Sequence, residues 1–214
     1  MSGTDPDEDA RIRAGAALAA GDPTAWFEPL YAAAETGDAV VPWHRGKPNA
    51  EIVSWANGVR GTGERAIVVG CALGDDAEYV ASLGYETVAF DVAESAIKAV
   101  RLRFPASPVD YVVADLFARP PSWRHGFDLV LEISTVQALP TDVRTAATSR
   151  VAELLAPGGT LLVGAFAADT DEPYPGPPWP LTRAHVEGFA VDGVKLKSLE
   201  RTRGGGRWWG ILTR

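Results

Sequence analysis

The sequence has one cysteine, one methionine and three histidines in 214 residues. A lone Cys71 cannot close an intramolecular disulfide, and it cannot supply a cysteine-cluster metal site. His44, His125 and His185 lie far apart in the chain, so no metal site is expected. Basic residues are also in short supply. Twenty Lys and Arg against 28 Asp and Glu leave a net charge of −8. Nucleic-acid binders neutralise phosphates with a basic face, so this balance argues against DNA or RNA as partner. Long apolar runs are missing too. A stretch such as 160–168 is far too short to cross a bilayer. The opening residues, MSGTDPDEDA, are acidic, where a secretory leader would start basic and turn apolar. No membrane partner is expected, and the reading is cytoplasmic.

The hydrophobic fraction of 46% and charged fraction of 22% suit a globular chain, and this length suits one α/β domain. Residues 1–20 read as a flexible tail and the start of an Ala-rich N-terminal helix; residues 21–214 read as one domain. From residue 65 the pattern alternates. Strands are predicted at 65–70, 86–91, 109–115, 127–133 and 160–166, and helices at 75–83, 94–104, 141–156 and 181–189. Segments 194–202 and 207–213, joined by Gly204-Gly205-Gly206, read as a terminal hairpin. The expected fold is therefore α/β. Its sheet is mostly parallel, has helices on both faces, and closes with an antiparallel C-terminal hairpin. Ligands of such sheets lie beyond the carboxyl ends of the strands.

The unusual residues fall there. The first strand ends in Gly70-Cys71-Ala72-Leu73-Gly74, and glycines at a strand–helix junction allow a tight turn and close ligand approach. The second ends in Asp91, followed by Val92. A carboxylate there can accept both hydroxyls of a ribose, although an Asp at this place also caps helices. The third ends in Asp115-Leu116: an acid to accept from an exocyclic amine and an apolar side chain to cover a base, or simply a turn. Glu132 interrupts an apolar strand, which is costly unless it faces a wet site or a partner. Together these residues describe a pocket for an adenosine moiety.

The ordered run VVGCALGDD, AFD, VVADLF, FDLVLEISTVQALP and LLAPGGTLLVGAF resembles class I S-adenosylmethionine (SAM)-dependent methyltransferases, over roughly residues 64–168. VPWHRGKP at 41–48 and YPGPPWPL at 174–181 resemble segments of the thiopurine S-methyltransferase-like group. The resemblance implies a Rossmann-like fold with SAM as cofactor and residues 21–60 as a cap over it. Gly70, Cys71, Ala72 and Gly74 would line its methionine part, Asp91 and Val92 its ribose, Asp115 and Leu116 its adenine. Trp43 would lie near the sulfonium, and Glu132 near the amino acid or acceptor. Two positions depart from the group: Ala72 replaces a glycine, and His44 replaces the Asp after Pro-Trp.

The implied reaction moves a methyl group to a small-molecule acceptor, a thiol or other soft nucleophile. The alternative acceptor is an aromatic or heterocyclic O- or N-nucleophile, for which Trp26, Trp43 and Trp179 would suit a flat ring. A thiolate needs no protein base; a hydroxyl does, and the candidate bases are His44 and Glu132. The Pro-rich run 172–180 reads as a lid presenting Trp179 to the acceptor. His185 and His125 read as packing or solvated residues, and Cys71 as a small buried residue rather than a nucleophile. A non-catalytic SAM-binding module is the reading from another class. A nicotinamide dehydrogenase is disfavoured, because Gly-x-Gly-x-x-Gly and Tyr-x-x-x-Lys are both missing. A monomer or homodimer is expected.

Overall fold

The computed structural model describes residues 5–214. Seven strands form one sheet: β1 (Arg65–Val69), β2 (Glu86–Asp91), β3 (Asp110–Val113), β4 (Phe127–Ile133), β5 (Leu155–Phe166), β6 (Lys195–Arg201) and β7 (Arg207–Thr213). Their spatial order is β3-β2-β1-β4-β5-β7-β6. The first five in that order run parallel. The last strand, β7, slots antiparallel between β5 and β6. The helices are α1 (Pro6–Ala19), α2 (Phe27–Thr36), α3 (Ala50–Trp55), α4 (Asp75–Ser82), α5 (Glu94–Arg103), α6 (Thr141–Ala152) and α7 (Arg183–Glu187). This is the Rossmann-like arrangement expected from the alternating pattern.

Strand β1 explains why the apolar runs are continuous. Ala66 and Val68 join the core under α4 and α5, while Ile67 and Val69 join the core under α6 and α7. A strand covered on both faces has no polar side to alternate with. Strand order reverses between β1 and β4, so the rim at their carboxyl ends is the switch point where such sheets open a crevice.

Three elements differ from the sequence expectation. The N-terminal helix expected within residues 1–20 is present as α1, but it starts at Pro6 and so takes up most of the stretch shared between tail and helix. It has Asp5 as its N-cap and Ala10, Ala14 and Ala17 buried; residues 1–4 of that tail lie outside the described residues. Helix α6 ends at Ala152, because Leu154 and Leu155 turn into the core and Leu155 pairs with Phe127, so β5 starts early. Helix α7 is shorter than expected. Thr182 caps it, its side chain accepting from the His185 N–H while His185 Nδ1 accepts from the Thr182 N–H. The capping role also accounts for His185.

Residues 20–60 carry α2 and α3 and lie across the rim. Tyr31 and Val41 pack on Ala93 and Ala96 at the start of α5. Glu28 accepts from the Ser95 N–H at 3.0 Å, and Lys98 pairs with Glu35 at 2.6 Å.

Candidate active site

The loop after β1 is set by backbone geometry. Gly70 has φ +60, and a Cβ there would sit 2.6 Å from Thr135 Oγ1. Gly74 has φ +85, and a Cβ there would overlap Val100 and come within 2.6 Å of the Tyr111 hydroxyl. Both positions therefore require glycine. Ala72, between them, also holds a left-handed φ of +49. This is the departure noted in the sequence, and an L side chain bears strain there. The Ala72 N–H donates to Asp91 Oδ2 at 3.0 Å, which fixes the conformation. The Cys71 N–H donates to Phe90 O, and its buried thiol is pushed well above the usual range by desolvation, so it is not a nucleophile.

Asp91 is only 6% exposed. Oδ1 accepts from the Ala93 N–H and Oδ2 from the Ala72 N–H, each at 3.0 Å. The cap reading holds, and the same carboxylate borders the cavity. Burial raises its pKa to about 6, against the pull of the backbone N–H groups of Ala93, Ala72 and Val92. A carboxylate offers about four lone-pair sites, so roughly two remain for a ligand. Asp115 Oδ1 accepts from the Phe117 N–H at 2.8 Å, and Leu116 is buried behind it.

A cavity of about 350 Å³ runs along this rim. It starts at Asp115 and Leu116, passes Asp91, Val92 and the Gly70–Asp76 loop, and reaches Ser134, Gln137, Phe166, Pro177, Pro178 and Arg207. Trp26, Phe27, Tyr31, Trp43 and His44 also line it. Trp43 Nε1 donates to Tyr31 Oη at 3.0 Å, and its ring meets Trp26 edge-on at 5.8 Å. His44 Nδ1 lies 3.2 Å from Asp75 Oδ2, and Asp75 is tied in turn to Arg103 at 2.6 Å. His44 is thus held beside the β1 loop.

Two residues singled out in the sequence do not line the cavity. Glu132 is fully buried. Its Oε1 accepts from the N–H groups of Thr135 and Val136 at 2.8 and 2.9 Å, bracing the turn after β4, and Oε2 has no partner. Desolvation raises its pKa to about 7. Its place in an apolar strand is explained by the turn it caps. Trp179 packs on Gly176, where a Cβ would lie 2.5 Å from the indole, and its backbone N–H donates to Gln137 O. Pro177 and Pro178 reach the cavity in its place.

The sequence reading missed Thr135, Asp76, Gln137 and Arg207. Thr135 packs on Gly70 and donates its hydroxyl to Val69 O at 2.9 Å. Asp76 Oδ1 accepts from the Asn49 N–H, and burial raises its pKa to about 6. Gln137 is 1% exposed, and its Oε1 accepts from the Phe166 N–H at 2.6 Å. A buried-polar signal was present in STVQALP, where Gln137 stands among apolar neighbours.

A nucleoside fits these residues. The loop has no side chain at Gly70 or Gly74, the buried Asp91 keeps acceptor capacity, and Leu116 stands beside Asp115. Residues 67–161 match the family model described as a methyltransferase domain. The chain is 29% identical over 150 residues to the probable thiol methyltransferase 2 of Arabidopsis thaliana, covering 68% of this chain and 65% of that relative's length. It is 29% identical over 188 residues to thiocyanate methyltransferase 1 of Brassica oleracea, covering 80% of each. Its fold resembles the SAM-bound magnesium protoporphyrin IX methyltransferase of Synechocystis with a TM-score of 0.61, at 18% identity over 77% of each chain. The rim chemistry, the methyltransferase-domain match and the two plant relatives support a class I SAM-dependent methyltransferase, on a fold shared with the Synechocystis enzyme. Within that class the chain is thiol-methyltransferase-like.

Proposed function

We propose that the enzyme methylates a small thiol or related soft nucleophile. The observation that carries this reading is the wall beyond the nucleoside positions. There Phe166, Pro177, Pro178 and Leu139 give an apolar surface beside the cation Arg207, with Arg45 and Lys47 also lining the cavity. Of the two bases suggested by the sequence, Glu132 is engaged under the β4 turn, while His44 lines the cavity with its Nδ1 held by Asp75. A hydroxyl acceptor calls for a positioned base, whereas a thiolate does not. The names of the two plant relatives point the same way.

Asp91 and Asp115 bind the nucleoside, and the Gly70–Gly74 loop lets it approach the backbone. SAM supplies an activated methyl group on a sulfonium. Trp43, an indole at the cavity, suits a neighbouring cation, a contact worth about 1–2 kcal/mol when desolvated. The chain's main tasks are to align the acceptor and to exclude water, and Pro177 and Pro178 close one side for that purpose. The cavity of about 350 Å³ lies near the lower end of ligand sites. Shared with a nucleoside, it favours a compact acceptor.

The test is turnover across a thiol panel and a phenol and amine panel, followed by release of S-adenosylhomocysteine. Preference for thiols supports the proposal; turnover confined to phenols or amines overturns it. SAM binding without turnover on any panel makes the protein a binding module.

A further inference from the structure

We infer that Arg207 selects the acceptor by supplying the counter-charge for one that reacts as an anion, so that the bound substrate is a small thiolate rather than a neutral thiol. The inference rests on the thiol reading above and assigns it a residue.

Arg207 opens β7 and pairs with Phe166 at the end of β5. Its guanidinium carbon lies 4.8 Å from the centre of the Phe166 ring. Nη2 donates to Ser134 Oγ at 2.9 Å. These two contacts hold the charge over the ends of β4 and β5, which lie on the opposite side of β1 from the strands leading to Asp91 and Asp115. Ser134 itself has φ +67, a strained conformation for an L residue that persists where its surroundings enforce it.

The charge lacks a close partner. Arg13, Arg103, Arg119, Arg150, Arg183, Arg201 and Arg214 each have a carboxylate within 4.0 Å, but among the described residues neither Arg207 nor Arg45, which also lines the cavity, has one. Glu51, Glu132 and Asp76 influence it from farther away, as does the like charge of Arg45. Glu132 and Asp76 are already accepting backbone N–H groups. Burial works against the guanidinium charge. A desolvated cation without a partner is costly, and an anion brought by the substrate removes that cost. The nucleoside's own acceptors, Asp91 and Asp115, lie on the far side of the Gly70 loop, which leaves Arg207 for the methyl acceptor.

An opposite charge within about 4–6 Å favours the ionised form of a thiol by roughly one pH unit or more. The thiol gives its proton to solvent on binding. The thiolate lone pair then forms the new carbon–sulfur bond as the methyl's bond to the donor sulfonium breaks. That bonding pair stays on the donor sulfur, leaving a methyl thioether and S-adenosylhomocysteine.

The experiment compares wild type, Arg207→Gln, Arg207→Lys and Ser134→Ala. Calorimetry gives the Kd of SAM, and kcat/KM is followed against pH for thiophenol and for the permanently anionic thiocyanate. Ultraviolet absorbance titrates thiophenol bound beside S-adenosylhomocysteine. Arg207→Gln is expected to lower kcat/KM about 30-fold or more for both acceptors. It should also move the acidic limb and the bound-thiol titration up by about one pH unit, and leave SAM Kd within about threefold. Arg207→Lys recovers part of the loss. Ser134→Ala keeps the charge but not its anchor, so it raises KM more than it lowers kcat. A SAM affinity that falls in step with acceptor affinity overturns the inference, because Arg207 would then hold the cofactor. So does a bound-thiol titration that Arg207→Gln and Ser134→Ala leave unmoved while wild type methylates thiols. Wild-type turnover confined to phenols or amines sinks the thiol reading itself.

Discussion

Replacing Asp91 with Ala tests the nucleoside grip. In the free protein the carboxylate accepts two backbone N–H groups at 3.0 Å and stays 6% exposed. About two lone-pair sites remain for a ribose diol. Hydrogen bonds to a charged group are worth about 1.5–3 kcal/mol each, but the ligand hydroxyls must first give up water, and the freed space in the variant admits some back. A net loss of about 2–3 kcal/mol is expected, or roughly 30- to 150-fold in SAM Kd. The pH dependence sharpens the test. Asp91 titrates at about 6 in the free protein, and only its ionised form accepts both hydroxyls. Affinity should level off above that pH and fall about tenfold per pH unit below it. The slope should vanish in Asp91→Ala. Calorimetry at several pH values on either side of 6 reads both effects, with a cooperative melt confirming that the variant folds. A Kd changed by less than about threefold would refute the assignment, as would a slope that survives in the variant. Asp76 also sits at about 6 on the same cavity, so Asp76→Asn is the control: it should keep the slope.

Ala72→Gly relieves a left-handed φ of +49. The relief of about 1–2 kcal/mol outweighs the entropy that glycine adds to the unfolded chain, about 0.5–1 kcal/mol, so urea melts should give equal or slightly higher stability. Glu132 ionises at about 7 when folded against an ordinary 4.5. The folded state therefore keeps a proton that the unfolded chain releases, and this group's contribution falls as pH rises from 4.5 to 7. Relative to wild type, Glu132→Gln should gain on the order of 2–3 kcal/mol between pH 5 and pH 8 in parallel denaturation curves; parallel curves with no such gain would contradict it. Trp179→Ala loosens Pro177 and Pro178 without touching the nucleoside positions. Steady-state kinetics should give a raised acceptor KM beside a nearly unchanged SAM Kd, and equal effects on both would count against the lid.

Much of the rim was legible because each contributor ends a strand. Gly70, Asp91 and Asp115 follow β-branched or aromatic runs, and the loop beyond a buried strand has one place to go. The acceptor wall was less legible. Arg207 follows three glycines and reads as the start of a hairpin strand; only the antiparallel seating of β7 against β5 brings it over Ser134, 73 positions earlier. Glu132 misled for a different reason. Its isolation in an apolar strand marks a buried acceptor, and the sequence does not distinguish a ligand from two backbone N–H groups three and four residues further on. The Pro-rich segment beside the cavity was legible as a segment, but Trp179 was chosen for its size. Packing on Gly176 turns the indole away and leaves the smaller prolines facing inward.

Because β7 enters between β5 and β6, the proposed acceptor wall comes largely from the latter part of the chain, while the residues proposed to hold the donor come mainly from earlier segments. On that proposal, retargeting such an enzyme would centre on residues 134–207, about a third of the chain. A lineage could explore new nucleophiles through that third of its coding sequence while most of the donor-facing residues stay as they are.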